Sequence, residues 1–125
     1  MNYTMYRGDT LILDLSVTQT LDGITTPVDL TGATLWMTAK KKATDKDAAA
    51  VFQLTTPTDI VIDGDPLSGR AVVTVPPTGT SDLTYAEGIA QIDLLYDIQV
   101  ETQTGIVQTV AAGRLSVVRD ITQAV

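Results

Sequence analysis

Apolar residues occupy every second position over several stretches of the chain. From Leu11 to Thr18, apolar side chains alternate with mainly polar ones. The same period recurs in five later segments, which are residues 33–40, 60–62, 71–75, 91–101 and 107–117. A period of two is typical of a strand with one buried face, because successive side chains point to opposite sides of a sheet. We therefore predict a chain built of β-strands.

Turn-forming residues separate these segments. Asp22-Gly23 lies between two extended runs, and both residue types tolerate the positive φ that a two-residue hairpin turn needs. The stretches "DGDPLSG" at 63–69 and "TQTG" at 102–105 predict two further hairpins. Gly113, inside the last alternating run, predicts a bulge or a close approach of backbone. With about seven strands, no long helical pattern and no internal repeat, the fold class is predicted to be all-β, a two-sheet antiparallel β-sandwich.

The length and composition suit one domain. The 125 residues are 44% hydrophobic, which is enough for a single core. Residues 1–125 are therefore predicted to form one sandwich, with residues 1–8 as an N-terminal arm. Threonine contributes 21 residues, and its branched Cβ favours strands over helices. No apolar stretch approaches the roughly 18 residues that a membrane helix needs, so we predict no membrane partner.

Charge and missing residue types narrow the possible functions. The net charge of −7 repels phosphate backbones, which predicts no nucleic-acid partner. The sequence contains no Cys and no His. This excludes thiolate nucleophiles, Ser–His dyads and metal sites built on those two residue types. Carboxylates, Lys, Tyr and Ser/Thr remain, but no spacing in the sequence brings such groups together recognisably. We therefore predict a protein that is not an enzyme, with no catalytic residues and no cofactor.

Three aspartates near one turn raise the question of a calcium site. Asp59, Asp63 and Asp65 offer the carboxylate oxygens that this ion prefers. Counting from Asp59, Gly64 takes the sixth position of an EF-hand loop, but Arg70 stands where a glutamate is required. We expect turn chemistry here and predict no metal site, with a weak calcium site as the alternative left open.

A lysine-rich stretch, "KKKATDKDAAA" at 40–50, interrupts the alternation after the second long run. Its four lysines are interleaved with aspartates and followed by alanines. We predict a solvated loop, and a basic docking patch is the alternative.

Four residues are candidates for a partner interface. Trp36 and Leu95 fall on the otherwise polar faces of their strands, and Tyr3 and Tyr6 precede the first alternating run. Exposed aromatic and apolar side chains of this kind fill pockets between protein subunits. Ordinary packing is the alternative for each, and Trp36 in particular could lie beneath a bulge or a second layer, because Trp is highly buried on average.

The tripeptide Arg7-Gly8-Asp9 has the sequence that integrins bind on their ligands. An adhesion tripeptide must lie at an exposed loop tip, whereas this one leads directly into the first alternating run. We interpret Gly8 as a bend that directs the strand, and Asp9 as a turn former beside Thr10.

Several stretches resemble the small immunoglobulin-like domains of tailed-bacteriophage virion proteins, and above all the N-terminal domain of phage upper baseplate proteins. They are "YRGDT", "PVDLTGATLWM", "LSGRAVVTVPPTGTSDL" and "YDIQVETQTGIVQTVAAGRLSVVRDIT". The resemblance covers nearly the whole chain and implies an immunoglobulin-like antiparallel β-sandwich of about seven strands. Its most distinctive parts are "DLTGA", "YDIQV" and the spacing of the closing "GRLSVVRDIT".

The resemblance implies a non-enzymatic virion structural protein that joins virion components in the tail, the baseplate or the head-to-tail region. Its expected partners are other virion proteins and further copies of itself, in a virion assembled in the cytoplasm of the bacterial host. One alternative is a capsid decoration or stabilising protein. A second is a stand-alone carbohydrate- or ligand-binding β-sandwich, for which the chain offers one Trp, one Phe and four Tyr.

Overall fold

The computed structural model describes residues 1–121, and within them the fold is all-β. Three short 3-10 helices lie in the connections, at Asp47–Ala49, Pro66–Ser68 and Pro77–Gly79. This part of the chain has no helix that is long and apolar enough to cross a membrane. The strands are β1 Tyr3–Tyr6, β2 Leu11–Ser16, β3 Thr18–Leu21, β4 Ile24–Pro27, β5 Thr34–Lys40, β6 Phe52–Thr55, β7 Ile60–Ile62, β8 Arg70–Val75, β9 Gln91–Glu101 and β10 Val107–Val118.

The larger sheet has five strands in the order β1-β10-β9-β5-β6. Its centre is the long β9–β10 hairpin, in which Leu94 lies opposite Leu115. All neighbours are antiparallel except β1 and β10, which run parallel, with Tyr3 beside Leu115. The alternation along β5 and β9 gives this sheet one apolar face and one mixed face.

The smaller sheet has three antiparallel strands in the order β2-β8-β7. Its apolar face packs on the apolar face of the larger sheet in one continuous core. The residues with no measurable exposure come from both sheets and from the connections, and they include Leu30, Leu35, Met37, Ile60, Val73, Val75, Leu94 and Leu115. The prediction of an all-β sandwich is therefore confirmed.

The alternating run that begins at Leu11 is divided between two sheets. Strand β2 ends at Ser16, because the Val17 N–H donates to the carbonyl of Gly69 and the Val17 carbonyl accepts from Val28. The chain then continues as the two-stranded hairpin β3–β4. Asp22 and Gly23 form its turn with φ of 51° and 78°, as their sequence predicts.

The segment 1–8, predicted to be an N-terminal arm, is largely integrated into the sandwich. Its residues Tyr3–Tyr6 form β1, and Met5 is buried in the core. The Met1 backbone lies directly over Gly113, where a Cβ atom would collide with the Met1 carbonyl oxygen. This is the close backbone approach predicted for Gly113.

The described residues contain ten strands rather than about seven. Two of the additional strands, β1 and β6, have four residues each and carry too few alternations to be recognised in the sequence. They are the two edges of the larger sheet.

Candidate functional site

A shallow groove of about 700 Å³ crosses the outer face of the larger sheet. Its floor consists of outward side chains of β5 and β9, because the neighbours Leu35 and Ile98 point into the core. Trp36 lies opposite Gln99 and Thr38 opposite Asp97 in this antiparallel pair. The loop between β5 and β6 contributes further residues to the lining.

Two of the four predicted interface residues, Trp36 and Leu95, line this groove. Trp36 is half-buried, and Leu95 is 42% exposed. The two-residue period of β5 and β9 puts both side chains on the outer face, as predicted. Among the described strands, Trp36 therefore packs neither in the core nor under a second layer.

The lining of the groove is acidic. It contains one ammonium group, Lys40, and three carboxylates, Asp47, Asp97 and Glu101. Lys40 Nζ lies 2.7 Å from Asp47 Oδ1. The hydrogen bond from Lys40, and then its charge, hold the pKa of Asp47 below its ordinary value.

Asp97 and Glu101 have no such partner within residues 1–121. Ion pairs in this part of the chain join Arg7 to Asp120 and Lys40 to Asp47. Both unpaired carboxylates belong to half-buried residues in the groove. They leave the groove with an excess of negative charge.

The other two predicted interface residues lie elsewhere. The Tyr3 ring packs on the ring of Tyr96 at 5.9 Å between centroids, and its hydroxyl contacts the Met1 sulfur. Burial raises the pKa of Tyr96, and Tyr3 adds to that shift. Tyr6 is 55% exposed and pairs with Val118 at the end of the sheet away from the groove. The structure therefore divides the four candidates among three places.

Val107 also lines the groove, and the sequence did not predict it as a candidate interface residue. Its phase along β10 suggested a core position, yet it is 56% exposed and lines the groove. A β-bulge between Thr109 and Ala111 shifts the register and turns the first residues of β10 over. No glycine marks this bulge, so it left no signal in the sequence.

Arg7 of the integrin-like tripeptide is held inside the fold. Its Nε atom donates to Asp120 Oδ1 at 2.7 Å and its NH1 group to the Leu83 carbonyl at 2.8 Å. The guanidinium also lies 5.3 Å from the centroid of the Tyr85 ring. Gly8 bends the chain with a φ of 80°. The tripeptide therefore joins β1 to β2 and is not an exposed loop tip.

The aspartates of the predicted turn play the structural part expected of them. The Asp65 side chain accepts the Leu67 N–H at 3.0 Å and caps the short helix Pro66–Ser68. Asp63 donates its backbone N–H to the carbonyl of Arg70. Within residues 1–121, no three carboxylates come together as metal ligands would.

The lysine-rich stretch forms an exposed loop with one short 3-10 turn. Lys41 and Lys42 are exposed, and Lys40 turns back to Asp47. The predicted solvated loop is confirmed for these residues.

Comparisons with known proteins add little to this geometry. No protein-family model matches the chain, and no curated protein matches it. Among solved structures, it is similar to AggA, the major subunit of aggregative adherence fimbriae type I from Escherichia coli. The identity is 11%, the similarity covers 95% of this chain and 89% of that chain, and the TM-score is 0.28. A similarity this low carries no argument about fold or function.

Proposed function

We propose that the protein is a non-enzymatic structural module of a tailed-bacteriophage particle that docks one virion component onto another. The observation that carries this proposal is the groove on the larger sheet. Trp36, Leu95 and Val107 place apolar side chains in one open depression, which suits contact with a protein surface. The resemblance of the sequence to phage immunoglobulin-like domains supplies the class of particle.

The sheet edges offer a second means of attachment. Strands β1 and β6 bound the larger sheet, and β2 and β7 bound the smaller one. An edge strand has backbone groups that can pair with a strand of another chain. Neighbouring virion proteins, or further copies of this chain, would bind there without any special side-chain chemistry.

Two other functions share parts of this geometry. A capsid decoration protein would use the same groove and edges on the head of the particle. A carbohydrate-binding sandwich is favoured by one observation, the position of Trp36 beside the polar groups of Gln99 and Asp97 in an open groove. We rank it lower because Trp36 is the only outward aromatic ring of that floor within the described strands.

Mass spectrometry of purified particles tests the proposal. Complete particles of the phage that encodes the chain should contain the protein. Tailless heads should lack it if it belongs to the tail or baseplate, and should keep it in few copies if it belongs to the head-to-tail region. Many copies on tailless heads would favour the decoration function instead. Its absence from both preparations would refute a virion role.

A complementation experiment tests the groove itself. Particles assembled with the double variant Trp36→Ala, Leu95→Ala should contain much less of the protein than particles assembled with the natural chain. The matched control is Leu21→Ala with Ile24→Ala, which removes two exposed apolar side chains from the β3–β4 hairpin, outside both the groove and the edge strands of the larger and smaller sheets. Equal incorporation of the two variants would show that the groove is not the attachment site.

A further inference from the structure

The unpaired charges of the groove indicate the chemistry of its occupant. Asp97 and Glu101 lie two residues to either side of Gln99 on β9, so all three share the outer face. Gln99 lies directly opposite Trp36. The two carboxylates are therefore the diagonal neighbours of the indole, at a separation that side chains can bridge.

The spacing of these groups fits an extended chain. Four residues of a strand separate the two carboxylates by about 13 Å. In an extended peptide, two side chains that are four positions apart have the same separation and the same direction. An arginine or lysine at each position would meet Asp97 and Glu101, and the cation could also lie on the face of the indole between them.

The cations of the protein itself leave these carboxylates available. Lys40 is bound to Asp47 at one end of the groove. Arg114 lies opposite Leu95 on β10, and it forms no ion pair within residues 1–121. A basic ligand would therefore add the missing positive charge to a half-buried acidic floor.

We propose that this groove binds an extended basic segment of a neighbouring protein, with two Lys or Arg side chains four positions apart that pair with Asp97 and Glu101 around Trp36. The inference rests on the proposed docking function and names the chemistry of the docked partner. It is independent of whether the partner belongs to the tail or to the head.

Tryptophan fluorescence offers a direct test, because Trp36 is the only tryptophan in the chain. The probe is the capped heptapeptide Thr-Arg-Thr-Val-Thr-Arg-Thr, in which the arginines are four positions apart. It should change the Trp36 emission in a saturable manner, and added salt should weaken its binding. A peptide with citrulline in place of both arginines, and one with the arginines three positions apart, should bind at least about tenfold more weakly.

Two double variants of equal net charge distinguish binding to the carboxylates of the groove from general attraction of the basic peptide to an acidic protein. Asp97→Asn with Glu101→Gln should weaken binding of the arginine peptide by about tenfold or more, since both proposed ion pairs are lost. Asp14→Asn with Asp82→Asn removes two exposed carboxylates outside the groove and should change the affinity for the arginine peptide less than about twofold.

Several results would overturn the proposal. They are no emission change at millimolar peptide, equal binding of the citrulline peptide, or equal weakening by the two double variants. Saturable quenching by a chitin oligosaccharide, with none by the arginine peptide, would assign the groove to a glycan instead. If particles contain the protein and the peptide does not bind, the basic-segment proposal fails and the virion role stands.

Discussion

Gly64 and Gly69 both have a positive φ, but only Gly69 lies where a Cβ atom would meet another part of the backbone. Gly69 has a φ of 70°, and a Cβ atom there would lie 2.5 Å from the Val17 carbonyl oxygen. That oxygen accepts the Val28 N–H, and the Gly69 carbonyl accepts the Val17 N–H. These contacts hold the base of the β3–β4 hairpin against the start of β8. Gly64 has a similar φ of 63° and no atom within 4 Å of its Cβ position.

Substitution of Gly64 and of Gly69 by alanine should have different costs, and Gly64 is the control for the effect of a positive φ alone. Gly64→Ala should lower the free energy of unfolding by about 1–2 kcal/mol, the cost of a left-handed conformation for an L residue. Gly69→Ala should cost about 1–3 kcal/mol beyond that, because the new methyl group must displace backbone that is already hydrogen-bonded. Urea denaturation of both variants measures the difference. If both variants lost the same free energy of unfolding, the close approach of Gly69 to Val17 would contribute nothing to stability.

At the scale of whole elements, the strands that alternate could be predicted from the sequence, and those that lack a pattern could not. The apolar faces of β5 and β9, and with them the outward positions of Trp36 and Leu95, follow from the two-residue period. The groove does not follow from it, because part of its lining belongs to the loop between β5 and β6, which has no alternating pattern. The position of the bulge in β10 was also not predicted, since Thr109 and Ala111 resemble any other strand residues and Gly113 marks the close approach of Met1 instead.

The bulge leads to a prediction along a single strand. Val107 and Val117 both belong to β10, but Val107 is exposed and Val117 is fully buried. Val107→Thr should change the free energy of unfolding by less than about 0.5 kcal/mol. Val117→Thr keeps the shape of the side chain and buries a hydroxyl, so it should cost about 1–3 kcal/mol, as measured by urea denaturation. If Val107→Thr were the more costly substitution, the shift of register at the bulge would be contradicted.

At the scale of the whole molecule, one cluster joins both ends of the described chain to the loop before β9. Arg7 from the segment after β1 binds Asp120 from the segment after β10, and it also binds the carbonyl of Leu83. Tyr85 lies against this guanidinium and donates its hydroxyl hydrogen to the Val117 carbonyl at 2.8 Å. Burial raises the pKa of the Tyr85 hydroxyl; the Arg7 charge opposes that shift and Asp120 adds to it.

This cluster predicts a loss of stability in alkali. The Tyr85 pKa is higher in the folded state than in the unfolded state, so the unfolded chain releases its proton first as the pH rises. The stabilisation is therefore complete below the unfolded tyrosine pKa of about 10 and is lost as the pH rises through the folded value. The free energy of unfolding of the natural chain should accordingly fall as the pH rises above about 10 and should continue to fall through the folded pKa of Tyr85, as followed by urea denaturation at each pH.

Substitution of the tyrosine isolates its share of that alkaline loss. Tyr85→Phe should be less stable than the natural chain at neutral pH, because the bond to Val117 is gone, but it should lose less stability over the same interval. Tyr96→Phe is the parallel variant, since burial also raises the pKa of Tyr96. If the natural chain and Tyr85→Phe lost the same stability in alkali, the raised pKa of the Tyr85 hydroxyl would contribute nothing to that loss, and the prediction would be contradicted.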